Sequence, residues 1–351
     1  MSTQVLSRKG SLTERRLPKW SPAATAVGSL AVAAGIGAGA GLSSKLQWVL
    51  IGLILFVAAQ YLLAARVEGR RQAKNGLATS LVWVAFLLAL LPLFGVLWMT
   101  IQKGLKVVDG NFLTHSMNMI SPNQEGGGLY HALIGTLEQV GLATLFAAPV
   151  GILTAVYLVE YGRSGKLARA VSFFVDVMTG VPSIVAGLFV LSFWIIILNQ
   201  PYTGFAGAIA LAILMLPVVV RSTEEMLKLV PNELREASLA LGVPKWLTIV
   251  RIVLPTAIGG ITTGLMLAIA RIIGETAPII MLVFGSDVIN NDPFNGPQSS
   301  LPLYVWTEYN RGTEQSTARA WGGALVLIAV VMILNLVARG IARWKAPKGS
   351  R

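Results

Sequence analysis

Residues 222–255 read STEEMLKLVPNELREASLALGVPKWLTIVRIVLP, the only long polar stretch in the apolar second half of the chain. Apolar segments that look membrane-embedded flank it, so the stretch reaches out into water. Leu227, Val230, Leu234, Ala237 and Leu241 recur at intervals of three and four, the spacing of a short amphipathic helix with one apolar stripe. Pro231 falls where a first-turn proline is tolerated, and Gly242 where such a helix stops. A helix this short is marginal in water by itself. Its stripe therefore expects a partner, and the loop reads as one held by another protein.

The rest of the composition fits that setting. Of 351 residues, 54% are hydrophobic and 13% charged, about half the charge of a soluble domain, with a mean hydropathy of +0.69. The class is an all-α polytopic membrane protein. Segments able to cross ~30 Å of hydrocarbon fall near 22–42, 46–65, 78–101, 132–159, 171–198, 204–220, 256–284 and 320–338. Basic residues gather in alternate connections: 1–20, 66–77, 160–170, 221–255 and the tail after 338. Only Lys45, Lys103, Lys106, Arg311 and Arg319 fall on the other side, and Arg271 lies inside a span. By the positive-inside rule both termini and the 222–255 loop face the cytoplasm of a cell whose plasma (inner) membrane the chain crosses. The net charge of +12 is thereby assigned to orientation in the bilayer, with no nucleic acid implied.

Residues 1–77 form an extension with two spans. The first contains Gly37 and Gly41, a G-x-x-x-G pattern suited to close helix packing. A basic leader before it also resembles a signal peptide, but a second span follows within a few residues. The core is 78–345, and 346–351 is a basic tail. Residues 102–131, with Pro122 and a GGG run, read as irregular external chain. Within the second external segment, 285–319, Leu301, Leu303, Tyr304, Trp306 and Tyr309 suit a short helix at the interface, where aromatic rings anchor. A docking surface for an external partner is the alternative there.

Four ionisable residues fall inside spans: Glu138, Asp176, Arg271 and Glu275. Each costs about 2.5–3.5 kcal/mol at a helix centre, so such residues face a bundle interior or a pathway. Glu275 follows Arg271 at i+4, on the same helical face. The pair reads either as a neutralising tie between helices or as an anion-handling site, because a guanidinium is permanently charged and its planar fork fits tetrahedral oxyanions. Asp176 is a further candidate for the pathway. It precedes TGVPSIVAG, where Pro182 kinks a helix and Gly180 and Ser183 permit close approach; Gly180 and Pro182 form a candidate hinge. Glu138 lies near the outer end of its span and carries no assigned role.

Several chemistries are excluded by what is missing. There is no cysteine, and His115 and His131 have no ligand-type neighbours at metal spacing, so no metal site is expected. GRSGK at 162–166 lacks the spacing and hydroxyl of a phosphate-cradling loop. Neither G-x-S-x-G nor H-E-x-x-H occurs, and no catalytic residues are assigned.

Glu236, Ala237 and Ser238, then Gly242, then Ile252, Leu254 and Pro255 resemble the cytoplasmic EAA loop of ABC importer permeases, E-A-A-x3-G-x9-I-x-L-P, with serine for the second alanine. ARIIGETAPII at 270–280, GVPSIVAGLF at 180–189, the run from Gly135 to Gly162 and SLPLYVW at 300–306 resemble the A-type permease of the phosphate-specific ABC importer, over roughly 78–345. The resemblance implies a six-span type I permease core with two added spans and half of a translocation pathway for inorganic phosphate. It implies a coupling helix at Glu236, Ala237 and Ser238 that docks on a separate ATPase and follows its closure. The implied partners are a homologous C-type permease, two copies of a cytoplasmic ATPase and an external phosphate-binding protein. ATP and Mg sit on the ATPase, and this chain binds no cofactor. The pathway arginine and glutamate of that family fall on Arg271 and Glu275. Three other readings remain at this stage: an importer of sulfate or molybdate, a proton-coupled carrier relaying through Glu138, Asp176 and Glu275, and a membrane scaffold sensing phosphate status. No inverted repeat supports the carrier.

Overall fold

The computed structural model describes residues 17–42, 44–162 and 165–345. Arg8, Lys9, Arg15, Arg16, Arg163 and the tail 346–351 lie outside the described residues. The chain is helical: α1 (Ser21–Gly39), α2 (Lys45–Val67), α3 (Arg70–Gly104), α4 (Gly110–Thr114), α5 (Tyr130–Val156), α6 (Lys166–Thr179), α7 (Ser183–Val190), α8 (Gly204–Lys228), α9 (Asn232–Ala240), α10 (Lys245–Thr248), α11 (Leu254–Ile272), α12 (Ala277–Leu282), α13 (Leu301–Asn310) and α14 (Glu314–Lys345). Wider π turns extend α5 over Tyr157–Tyr161 and α7 over Leu191–Ile197, and join α10 to α11 over Ile249–Val253. Among the described residues seven helices are long and apolar enough to cross a membrane, and α6 with extended α7 makes an eighth if that bent pair is one span.

The chain divides into two compact units between Trp98 and Met99, inside α3. In the first unit α1 and α2 pack together, but not through a glycine stripe. A Cβ on Gly37 would fall 2.2 Å from the Trp48 indole, so that glycine is a seat for a ring. Gly41 lies beyond the helix end at φ +67°, and Leu42 N donates to Gly37 O. It is a stop signal of the left-handed type.

In the second unit the largest core gathers Val140, Ala143 and Ala147 of α5, Leu211, Leu214 and Met215 of α8, Ala268 and Ile272 of α11, and Ile279 and Leu282 of α12. A second cluster at the ends of these helices joins Val156, Val175, Leu227, Val230, Ile249 and Val253. A third, at the opposite ends, joins Phe112, Met117, Leu129, Leu301, Tyr304 and Val326.

Three spans differ from the sequence reading. The segment expected at 171–198 is broken at Gly180–Pro182, and its halves meet at 107°. Pro182 caps α7 at φ −60° and ψ 140°, an extended geometry that ends α6 outright instead of kinking it. Close approach occurs one turn on: a Cβ on Gly187 would fall 2.8 Å from Pro278 Cα of α12, while Gly180 faces only its own Val177 O at 3.5 Å. The span expected at 256–284 stops at Ile272 and restarts at Ala277. Helix also runs further into the polar stretch than hydropathy indicates, through Lys228 and again from Lys245. Arg221, Glu224 and Lys228 pair with one another at i+3 and i+4 along one face, which lets charge continue a helix instead of ending it. The excursion proper is therefore 229–244.

The external segments hold more structure than irregular chain. α4 lies within 102–131, capped by Asp109, whose carboxylate accepts from Phe112 N at 2.7 Å. The expected helix at 301–310 forms, but of its apolar and aromatic residues only Trp306 and Tyr309 are exposed. Leu301, Leu303 and Tyr304 are buried as core.

Candidate coupling platform and translocation site

The helix α9 is built to face outward. Pro231 precedes it at φ −58° and Gly242 follows at φ +77°, with Gly242 N donating to Leu239 O and Val243 N to Ser238 O. The expected stripe divides: Leu227 and Val230 lie before α9 and are buried, while Leu234, Ala237 and Leu241 are exposed, Leu241 by 83%. Glu236 is exposed as well. The side turned inward is polar, carrying Arg235 and Ser238.

Arg235 is the anchor, and the sequence reading passed over it. Its Nε and Nη2 both donate to Glu160 Oε1, at 3.0 and 2.8 Å. Its Nη1 donates to Val230 O at 2.6 Å and its Nη2 to Leu227 O at 2.9 Å. Glu160 sits in the π turn that ends α5 and is 4% exposed. The Leu227 and Val230 carbonyls lie where α8 ends, and Leu227 O otherwise accepts only from the turn that follows, Val230 N at 3.3 Å included. One guanidinium thus ties α9 to the ends of two spanning helices and lies at the C-terminal end of α8, where a cation is favourable. Lys245 adds a bond to the Glu160 carbonyl and lies 4.8 Å from the Tyr161 ring centroid.

Ser238, the departure from the EAA pattern, is buried with its hydroxyl 2.8 Å from that of Thr248. Ile252 and Leu254 are half-buried, and Leu254 packs on the cluster that holds Leu227 and Val230. Pro255 follows the π turn Ile249–Val253 at the start of α11. Proline lacks the N–H that an α turn requires there, and a wider turn accommodates it.

Arg271 and Glu275 do not form the pair their spacing predicts. Arg271 ends α11 with an exposed side chain, and Glu275 lies in the break before α12. The i+4 rule fails because the helix stops at Ile272. Among the described residues neither side chain takes part in an ion pair. A cavity of about 630 Å³ between α8, α11 and α14 is lined by Ser222, Glu225, Thr262, Thr263, Asn335 and Arg339 and extends to Ala270, the residue before Arg271.

Asp176 is engaged: its Oδ1 lies 2.5 Å from Arg221 Nη2, which also bonds the Ser172 carbonyl and hydroxyl at 2.9 Å. Glu138 accepts from Gln298 Nε2 at 2.5 Å, and Gln139 Nε2 donates to Gln298 Oε1 at 3.0 Å and Ser299 O at 3.1 Å. Of the three carboxylates of the relay reading, Glu138 and Asp176 thus hold separate partners, and among the described residues no hydrogen bond or ion pair links either of them to Glu275.

On the other side, Arg311 and Arg319, read from sequence only as loop charges, form a second buried hub. Glu308 is 1% exposed and accepts from Arg319 Nε at 2.7 Å and from Arg311. Arg319 also donates to Pro122 O and Gln124 O, tying 122–126 to α14. Burial pushes the neighbouring Tyr304 phenol above its ordinary pKa, and the Glu308 charge adds to the shift.

Residues 147–350, which include the whole α9 platform, match the family of binding-protein-dependent transport system inner membrane components. A phosphate transport system permease protein PstA 1 from Mycobacterium tuberculosis (strain CDC 1551 / Oshkosh) is 53% identical over 270 residues, covering 77% of this chain and 88% of the relative. The chain belongs to the PstA family. The PstA of Yersinia pestis is 40% identical over 272 residues, covering 77% and 90%. Roughly a quarter of this PstA-family chain lies outside these matches. Its fold is also that of solved ABC importers. A bacterial alginate ABC transporter, in complex with alginate pentasaccharide-bound periplasmic protein, aligns at 18% identity with a TM-score of 0.55, over 77% of this chain and 96% of that one. An inward-facing MetNI methionine ABC transporter aligns at 20% identity with a TM-score of 0.50, over 63% and 95%. A PstA-family permease is a multi-pass inner-membrane component and carries no enzymatic centre of its own.

Proposed function

We infer that the chain is the permease subunit of an ATP-driven phosphate importer and lines half of the pathway. The observation that carries the reading is α9, a short helix that shows Leu234, Ala237 and Leu241 beside Glu236 to solvent while a buried guanidinium holds it from behind. An apolar face on so short a helix needs a partner. That partner is a separate ATPase subunit, which receives α9 in a groove and transmits its closure through Arg235 to α5 and α8. Both termini and α9 face the cytoplasm, following the distribution of basic residues. A homologous C-type permease completes the pathway, and an external phosphate-binding protein delivers the anion.

Arg271 is the residue that meets phosphate, and Glu275 modulates how tightly. A cation at membrane depth without a partner among the described residues must meet one in the pathway, in water or in another subunit. Exposure of Arg271 at the end of α11, beside the cavity that reaches Ala270, favours the pathway. Asp176, bound to Arg221 beside the break at Gly180–Pro182, holds α6 on α8 while α7 moves about that hinge.

Reversing one exposed charge tests the coupling. Glu236→Arg leaves insertion of the permease and assembly of the membrane complex intact and abolishes phosphate uptake into vesicles. Uptake by that variant at the parental rate rules the coupling role out.

A further inference from the structure

The N-terminal unit carries a groove of its own, lined by its three helices. α1, α2 and α3 line an open groove of about 480 Å³ whose apolar wall is formed by Leu30, Leu53, Phe56, Trp83, Val84 and Leu87. Its other end is polar, with Gln60, Thr79 and Ser80 beside Pro22 and Gly76. From Gly76 to Leu87 the groove follows α3 for ~16 Å, at ~1.5 Å per residue. Apolar along most of its length and polar at one end, the groove suits a hydrocarbon chain that carries a polar headgroup.

The polar end is also the basic end. Arg66 lies in the last turn of α2, and Arg70, Arg71 and Lys74 lie in the first turns of α3, two to six residues before Gly76. All four are exposed, and among the described residues none is in an ion pair. Glu68, the acidic residue of this turn, accepts from Leu17 N at 2.6 Å and so fastens the start of α1 to the same corner. Uncompensated cations at the mouth of an apolar groove are the arrangement that recognises an anionic lipid headgroup. We propose that this groove is a phospholipid site: one acyl chain lies between α1, α2 and α3, and the anionic headgroup rests against Arg66, Arg70, Arg71 and Lys74.

Trp83 in the groove wall supplies the readout. The full chain is reconstituted in phosphatidylcholine vesicles, and phosphatidylglycerol or phosphatidylcholine with brominated acyl chains is titrated in. Subtracting the signal of Trp83→Phe isolates quenching at Trp83. Brominated phosphatidylglycerol is expected to quench at a several-fold lower mole fraction than brominated phosphatidylcholine. Arg70→Gln/Arg71→Gln/Lys74→Gln, three exposed positions whose change leaves the fold intact, is expected to remove most of that preference at low salt. Ala26 of α1 also lines the groove, and Ala26→Phe, which fills it, brings quenching by the anionic lipid down to the level of the zwitterionic one. Millimolar inorganic phosphate leaves the quenching unchanged. Equal quenching by the two lipids overturns the proposal, as does an unchanged preference in the triple variant. Displacement by inorganic phosphate assigns the cations to the free anion instead and equally overturns it.

Discussion

Replacing Arg235 by methionine keeps much of the side-chain volume and removes the charge that fastens α9. Arg235 is 9% exposed and Glu160 4%, so the change leaves a carboxylate buried without its partner. Removing one member of such a pair costs about 3–5 kcal/mol, and the Val230 and Leu227 carbonyls lose the guanidinium bonds as well, Leu227 O keeping its backbone turn bonds. At about 1.4 kcal/mol per tenfold, the docked state of α9 loses roughly two to three and a half orders of magnitude in population relative to its detached states. Hydrogen exchange at residues 229–244, in the permease reconstituted with its partners, should accelerate by a similar factor, while amides in the middle of α5 and α8 keep their protection. Phosphate uptake should fall at least tenfold. Adding Glu160→Gln removes the orphaned charge, so the double variant should regain part of the protection although it has fewer polar contacts than the parent. Arg235→Lys should fall between parent and methionine, because an ammonium cannot reproduce the fork that reaches Glu160 and two carbonyls together. Parental exchange rates and parental uptake in Arg235→Met would refute the argument, since α9 would then be held by something other than this guanidinium.

Two further outcomes are expected. Arg271→Gln should abolish phosphate uptake without lowering the thermal stability of the purified permease, because the side chain is exposed and makes no ion pair among the described residues; a matched loss of stability would return the residue to a structural role. Ser238→Ala should destabilise by about 1 kcal/mol in thermal unfolding, since the buried Thr248 hydroxyl is left with only a 3.4 Å approach to Pro244 O. Ser238→Ala/Thr248→Val should be close to parental, and a double variant as unstable as the single would show that the 2.8 Å hydroxyl contact is not the source.

The chain by itself determined its class, the order and rough places of its spans, and the place of the EAA-like motif. Each is written locally: runs of apolar residues measure the bilayer, basic residues sort the connections, and Glu236, Gly242 and Pro255 stand at fixed spacing. Only tertiary structure decided how charges inside those spans are used. Arg235 meets Glu160 across 75 positions, Asp176 meets Arg221 across 45, and Arg319 reaches Pro122 across 197. Arg271 and Glu275, four apart and expected on one face, are separated by a helix end. Hydropathy averages over a window and so registers neither a break of three residues at Gly180–Pro182 nor a helix that continues through Arg221, Glu224 and Lys228 by pairing its own charges. A buried ion's partner is whatever folding brings within ~3 Å, and that information lies in no single stretch of sequence.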